Sequence, residues 1–413
     1  MSITAHREKL ADLLPDKSMV VLYSGIPVHV SQDEYYPFRC NRQFFYYTGL
    51  TRENMALVML KRDGKCNATL YIPEADPLAI RWMGKMVMPD EAREISGIQS
   101  VRYIQNLERD LHFHLSSGLV DSAYFDTDRH SPEDMPDYNL TKAMDIAGRY
   151  PAIRILNLHP LTAKLRKCKD AEEVAAIQRA IDVTKSGLEA VLETLRPGLY
   201  EYQVQAIFEA KIFSEGAEGP SFPTIAGAGI NGTMLHYGTN RELCNDGDLI
   251  LLDLGAKVDG YCADITRTYP VNGKFTDRQR QYYEIALAAN RAVAKAAKPG
   301  MTTRELNDIC KGVLAEGLMK MGKIETPEEV GKYYMHGVSH HLGIDVHDIT
   351  DASDYALLPG CVITDEPGLY IDEEAIGIRI EDDLLITEEG CVCLSEDIIR
   401  TPDDIEAFMA KKN

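Results

Sequence analysis

Leu249-Ile-Leu-Leu-Asp-Leu-Gly-Ala-Lys-Val-Asp-Gly-Tyr-Cys-Ala-Asp-Ile-Thr-Arg-Thr268 places two aspartates, Asp253 and Asp264, in runs that otherwise read as buried strand. With a two-residue turn near Lys257–Gly260, the numbers of facing residues sum to an odd value. That puts Asp253 and Asp264 on one face, opposite or diagonal to each other. Two ionised carboxylates roughly 5–8 Å apart in a dry strand pair repel, so they need a shared proton or a cation between them. The alternative, an exposed hairpin with solvated acids, fits poorly with the flanking Leu-Ile-Leu-Leu run.

A second group of polar residues in apolar strands lies further on. Gly360-Cys-Val-Ile-Thr-Asp-Glu-Pro-Gly-Leu-Tyr-Ile371 carries Glu366, and Ala375-Ile-Gly-Ile-Arg-Ile-Glu-Asp-Asp-Leu-Leu-Ile386 carries Arg379 and Glu381. Glu366 and Glu381 are again an odd number apart, so a tight return near Glu373-Glu374 brings them to one face, which Arg379 shares. Between the acid pairs, His336, His340, His341 and His347 fall within twelve residues, bracketed by glycines, a density that points to ligands or proton carriers. Spacing alone leaves open which imidazole is the ligand. Four carboxylates in one pocket are neutralised by two divalent cations, and oxygen ligands with one imidazole suit a dinuclear site of hard ions. Two such ions would acidify a water for hydrolysis.

Composition sets the frame. A chain of 413 residues is long enough for two domains, and 45% hydrophobic with 26% charged residues describes an ordinary globular protein. The net charge of −20 argues against general binding to nucleic acid or anionic lipid and favours cationic ligands such as metal ions or a peptide's ammonium group. Nine scattered cysteines without paired metal-finger spacing fit a reduced, cytoplasmic setting in which they act as small hydrophobes. The beginning of the chain lacks a signal-peptide pattern, and no apolar run approaches the ~20 residues of a membrane span.

Residues 1–160 read as a mixed α/β domain, with strands at Ser18–Tyr23, Ala56–Leu60 and Ala68–Ile72. The single tryptophan, Trp82, reads there as a partly buried packing residue. Residues 161–413 form a second domain. The basic run Lys164-Leu-Arg-Lys-Cys-Lys169 reads as a solvated linker, after which Asp170 and Glu173 predict a capping box. Val174, Ile177, Ile181, Thr184, Leu188, Val191 and Leu195 continue as a helical stripe that Pro197-Gly198 ends. A second helix over 277–298 ends at Pro299-Gly300, and Tyr202–Phe208 finds an echo in Arg304–Cys310. The pattern suggests two related halves with a site at their junction.

The two aspartate strands, the His336–His347 segment, Glu366-Pro-Gly-Leu-Tyr370 and Gly377-Ile-Arg-Ile-Glu-Asp382 resemble, in order, the metal motifs of the pita-bread metallopeptidases, most closely the Xaa-Pro aminopeptidases. Asn41-Arg-Gln-Phe-Phe-Tyr-Tyr-Thr-Gly-Leu50 is similar to the creatinase-like N-terminal domain of that family. The resemblance implies a C-terminal pita-bread α/β catalytic domain behind a smaller α/β domain, and hydrolysis of the Xaa-Pro bond at a peptide's N-terminus. Asp264 and Glu381 would bridge two metal ions, manganese by preference with zinc or cobalt possible. Asp253 would bind one ion, and His340 with Glu366 the other. Glu366 would also carry the water's proton. His236 and His347 would flank the scissile carbonyl and His336 the proline side, while Arg379 would support Glu381. Trp82 would reach into a neighbouring subunit's site in a dimer or tetramer. The related alternatives are a prolidase acting on dipeptides and a non-catalytic binding protein on the same fold.

Overall fold

The computed structural model describes residues 3–350 and 356–411 and divides into two compact units, Met1–Leu165 and Arg166–Asn413. In the first unit, β1 (Ser18–Tyr23), β2 (Ala56–Arg62), β3 (Lys65–Ile72), β4 (Ser100–Tyr103), β5 (Ser122–Phe125) and β6 (Arg154–Asn157) make one sheet in the order β4-β3-β2-β1-β5-β6. The strand pairs β1/β2 and β2/β3 are antiparallel and the outer pairs parallel. Every residue of β1 is buried, as its unbroken apolar run requires of a strand covered on both faces. Met19, Val21 and Tyr23 pack with Leu107, Leu111, Leu115, Ala143 and Ile146 on one of those faces. The segment from Asn41 forms a short helix, Arg42–Thr48. The Asn41 side chain accepts from the Phe44 N–H, and Gly49 closes the helix at φ 70°.

Trp82, on helix Pro77–Met83, is 80% exposed. The packing role expected of it is therefore wrong: the indole presents an apolar face to solvent rather than to the core.

The second unit begins with a correction as well. Arg166, Lys167 and Lys169 of the supposed solvated linker are buried. Arg166 pairs with Asp345 at 2.9 Å and with Asp348, and Lys169 reaches Asp348 at 3.0 Å. Charge counting along the chain missed this because the compensating acids lie about 180 residues away. The helix Ala171–Thr194 then starts as expected: Asp170 accepts from the Glu172 and Glu173 N–H groups and Glu173 from the Asp170 N–H. Thr184, the one polar member of its stripe, accepts the Ala256 N–H at 2.8 Å and so ties the helix to the strands.

The repeat is visible as two helix pairs, Ala171–Thr194 with Glu201–Ser214 and Asp277–Ala296 with Thr303–Lys320. Each pair precedes strands that carry acids. After the first come β7 (Gly219–Pro220), β8 (Ile225–Ala228), β9 (Leu249–Leu254), β10 (Ala256–Val258), β11 (Tyr261–Cys262) and β12 (Ile265–Pro270). After the second come β13 (Val362–Asp365), β14 (Gly368–Ile371), β15 (Ile376–Arg379), β16 (Asp382–Ile386) and β17 (Cys391–Cys393).

Candidate active site

In the aspartate hairpin, Asp253 of β9 faces Thr266 of β12, and the same register runs on through Lys257↔Cys262 and Val258↔Tyr261. The turn is Asp259-Gly260, with φ 51° and 80°, the left-handed pair of a tight hairpin. Asp264, two residues before Thr266, therefore lies diagonal to Asp253 on one face, as the numbering required. β9 and β12 are buried throughout, which removes the exposed-hairpin alternative.

Asp365↔Asp382 in β13/β16 and Gly368↔Arg379 in β14/β15 share one register, which sets Glu366 opposite Glu381. The return between β14 and β15 takes four residues, with Asp372–Glu374 in a 3₁₀ turn and Ala375 at φ 51°. The hairpins are stitched together at the acids: the Glu381 N–H donates to the Thr266 carbonyl at 3.0 Å, and the Thr266 hydroxyl donates to Glu381 Oε2 at 2.6 Å.

His340 is the imidazole that enters this carboxylate cluster. Its Nε2 lies 3.4 Å from Asp264 Oδ2 and 3.6 Å from Glu366 Oε1. Its Nδ1 is 3.2 Å from the His341 carbonyl, which can only accept, so Nδ1 carries a hydrogen and the ring turns Nε2 toward two acids. His341 is directed elsewhere, where burial and Lys169 push its pKa down to about 3.

The electrostatics show the same deficit of positive charge. Burial, then the neighbouring carboxylates Asp253 and Asp383, hold Asp264 well above the usual carboxylate range. Burial followed by Asp264 and Glu366 does the same to Glu381, and burial raises Glu366. Asp253 Oδ1 is buried without a hydrogen-bond partner. Donor atoms of Asp264, His340 and Glu381 all lie within 4.8 Å of one another. An imidazole nitrogen facing acids, an orphaned carboxylate oxygen and carboxyls forced toward neutrality together make a donor set that fits hard divalent cations.

Arg379 does not make the contact expected of it. Its Nη2 donates to Asp253 Oδ2 at 2.6 Å, its Nε to the Thr266 hydroxyl at 3.1 Å, and its Nη1 to the Tyr370 phenol at 2.9 Å. Arg379 thus has a hydrogen-bond route to Glu381 only through Thr266, while its charge still favours the ionised Glu381 as expected.

The Tyr370 phenol also lies 2.8 Å from His336 Nε2, and His336 Nδ1 lies 2.7 Å from the Gly337 carbonyl. Since Nδ1 must donate there, Tyr370 donates its proton to Nε2 while accepting from Arg379. Burial pushes the His336 pKa down to about 4, helped by Arg379 and His236, so the ring is neutral near pH 7. His336 Nδ1 is 3.7 Å from Glu366 Oε2. His236 and His347 are exposed, and the His347 ring stacks obliquely on His340 with centroids 4.1 Å apart. Trp82 belongs to the other unit. Thr266 and Tyr370 were missed as site residues, although the parity that aligned the acids also puts Thr266 with Asp253, and Tyr370 with Glu366 and Arg379.

Comparison with known proteins agrees with this geometry. Residues 175–388 match the model of metallopeptidase family M24, and residues 3–119 match the aminopeptidase P N-terminal domain. The chain is 34% identical to the Xaa-Pro aminopeptidase of Escherichia coli, over 98% of this chain and 96% of the relative. Its fold is similar to that of a putative aminopeptidase P from Bacillus anthracis, with 41% identity, a TM-score of 0.97, and coverage of 100% of this chain and 98% of that one. It is also similar to Escherichia coli aminopeptidase P solved with the inhibitor Pro-Leu, with 32% identity, a TM-score of 0.89, and coverage of 99% and 98%. By sequence, fold and the two-domain architecture, the chain belongs to metallopeptidase family M24, in the group with a pita-bread catalytic domain and an aminopeptidase P N-terminal domain.

Proposed function

We propose that this chain is an Xaa-Pro aminopeptidase that removes the first residue from peptides with proline second, residues 1–160 being its N-terminal domain and 161–413 its catalytic domain. The observation that carries the reading is the convergence of Asp264, Glu366 and Glu381, with Asp253 beside them, on Nε2 of His340. Asp264 and Glu381 would be shared by two divalent ions, with Asp253 holding one and His340 with Glu366 the other. Carboxylate-rich ligation favours manganese, and zinc or cobalt fit the same atoms. Bound there, the ions supply Lewis acidity at the scissile carbonyl and acidify a water.

The chain's own residues supply the rest. Glu366, its carboxyl raised by burial, takes a proton from the attacking water and returns it to the proline nitrogen. His236, within electrostatic reach of His336, and His347, stacked on His340, flank the scissile carbonyl and the leaving proline nitrogen and hydrogen-bond the carbonyl oxygen as charge develops on it. Neutral His336, held by Gly337 and Tyr370, offers a ring face to proline, whose tertiary amide has no N–H to recognise. Arg379 fixes Asp253 in place. The acidic cluster attracts the substrate's ammonium group. Trp82, exposed on its helix, is available to contact substrate across a dimer or tetramer interface.

The Pro-Leu complex of the similar Escherichia coli enzyme supports an aminopeptidase over a prolidase, because a dipeptide that begins with proline is what remains after a tripeptide loses its first residue. Nine cysteines scattered along the chain without metal-finger spacing support a cytoplasmic location. The test is kcat/KM on an Xaa-Pro-Yaa tripeptide against the matching Xaa-Pro dipeptide, with metal content measured on the same sample. Preference for the tripeptide supports the reading. Preference for the dipeptide makes the protein a prolidase, and metal-loaded protein inert toward both rejects proline specificity.

A further inference from the structure

Two thiols that take no part in this hydrolysis are held face to face. Cys168 lies just before the helix Ala171–Thr194 and Cys361 just before β13, 193 residues later, yet their sulfurs are 4.0 Å apart. The main chain fixes that approach: the Lys169 N–H donates to the Gly360 carbonyl at 2.8 Å, so each cysteine adjoins one end of a hydrogen bond between the two segments. Cys361 is further anchored, its N–H donating to the Leu358 carbonyl and its own carbonyl accepting from Ile386. A Cβ built on Gly360 would meet the Cys168 Cβ at 3.3 Å, which places that Cβ against the turn leading into Cys361. A disulfide needs sulfurs about 2.05 Å apart on Cβ atoms separated by roughly 3.5–4.5 Å. Adjacent sulfurs on backbones already bonded together can reach that geometry by side-chain rotation.

The surroundings favour a thiolate. The Leu358 N–H donates to Cys361 Sγ at 3.4 Å, and Lys167 and Lys169 flank Cys168. The hydrogen bond from Cys168, with the Leu358 amide and the two lysines, pushes the Cys361 thiol down to about 6, while the same hydrogen bond and burial raise Cys168. Cys168 is half-buried, while Cys361 is fully enclosed, so Cys168 is the sulfur an oxidant meets.

We propose that Cys168 and Cys361 form a reversible disulfide when the protein meets a hydroperoxide, and that the cross-link slows turnover. Cys168 passes its thiol proton to the Cys361 thiolate it hydrogen-bonds, its sulfur attacks one peroxide oxygen and the O–O bond breaks. Hydroxide leaves and takes up a proton as water, and Cys168 becomes a sulfenic acid. The Cys361 sulfur then attacks Cys168 Sγ, breaking the S–O bond and releasing a second water. Two thiols are oxidised and one peroxide is reduced. The cross-link joins two supports of the site. Arg166 and Lys169, on either side of Cys168, grip Asp345 and Asp348 around His347, and Cys361 leads into the strand before Glu366.

The test treats full-length, manganese-loaded protein with hydrogen peroxide, alkylates the remaining thiols and maps peptides without reduction, with kcat read before and after. The expected result is a cross-linked peptide joining Cys168 to Cys361, loss of two of the nine thiols, and a severalfold fall in kcat that dithiothreitol reverses. Cys168→Ser should keep its kcat through the same treatment, and Cys168→Ala serves if serine disturbs folding. Both thiols still alkylated while other cysteines oxidise would overturn the proposal, as would a cross-link that leaves kcat unchanged. The peptide map reads the disulfide independently of which peptide proves to be the substrate.

Discussion

His336, His340, His341 and His347 cannot be told apart by spacing, yet each meets a different partner. A backbone carbonyl on Nδ1 turns the Nε2 of His340 toward Asp264 and Glu366, and the same device turns the Nε2 of His336 toward Tyr370. Assigning these faces requires knowing which carbonyl each ring meets, and that information is absent from residue order. Tyr370 joins Arg379 to His336, so Tyr370→Phe should leave metal content unchanged and lower kcat by about tenfold or more, as expected for losing a hydrogen bond to a charged group. Metal analysis beside steady-state kinetics checks this, and lost metal would show that the phenol supports the ligands instead. His347→Ala should likewise retain metal while kcat falls on the order of a hundredfold, the scale of proton-transfer and oxyanion contributions. Trp82 was misread because a lone tryptophan carries no signal separating a packed ring from one presented to solvent.

At the scale of elements, strand parity was the most informative reading, since it needs only a register and no contact. It placed Asp253 with Asp264 and Glu366 with Glu381, and it survived a four-residue return where a tighter one was expected. It could not foresee how the two hairpins meet, which gives Arg379 its direct hydrogen bond to Asp253 while only its charge acts on Glu381. That meeting also depends on glycine. A Cβ on Gly377 of β15 would lie 1.9 Å from the carbonyl oxygen of Gly232, in the segment that leads to His236. Gly377→Ala should therefore push the segments apart, lower Tm, and cost on the order of 1–3 kcal/mol as overpacking does. Chemical denaturation measures the loss, and an unchanged midpoint would mean that the segment yields freely.

For the molecule as a whole, the repeat of helix, Pro-Gly, helix and acid-bearing strands was legible because chain breakers and apolar periodicity are local. The basic run at 164–169 was misread because its partners Asp345 and Asp348 are distant in sequence. Burial alone would raise the Asp348 carboxyl, but Arg166 and Lys169 hold it below the ordinary range. A carboxyl depressed in the folded chain contributes stability above its unfolded pKa of about 3.9, and the contribution is lost as pH falls through the folded value. Asp348→Asn should thus destabilise the protein at neutral pH by about 3–5 kcal/mol, since it strands buried cations. The gap from the native chain should narrow as pH falls below about 4, where the carboxyl of the unfolded chain takes up a proton before the folded one does. Urea unfolding at both pH values checks the sign.

The most direct measurement is titration of metal-free protein with manganese while following both bound metal and hydrolysis of an Xaa-Pro-Yaa peptide. The account predicts two ions per chain, with activity rising as they bind, and neither binding nor activity in Asp264→Ala. Full turnover by metal-free protein, or by Asp264→Ala without bound metal, would contradict it.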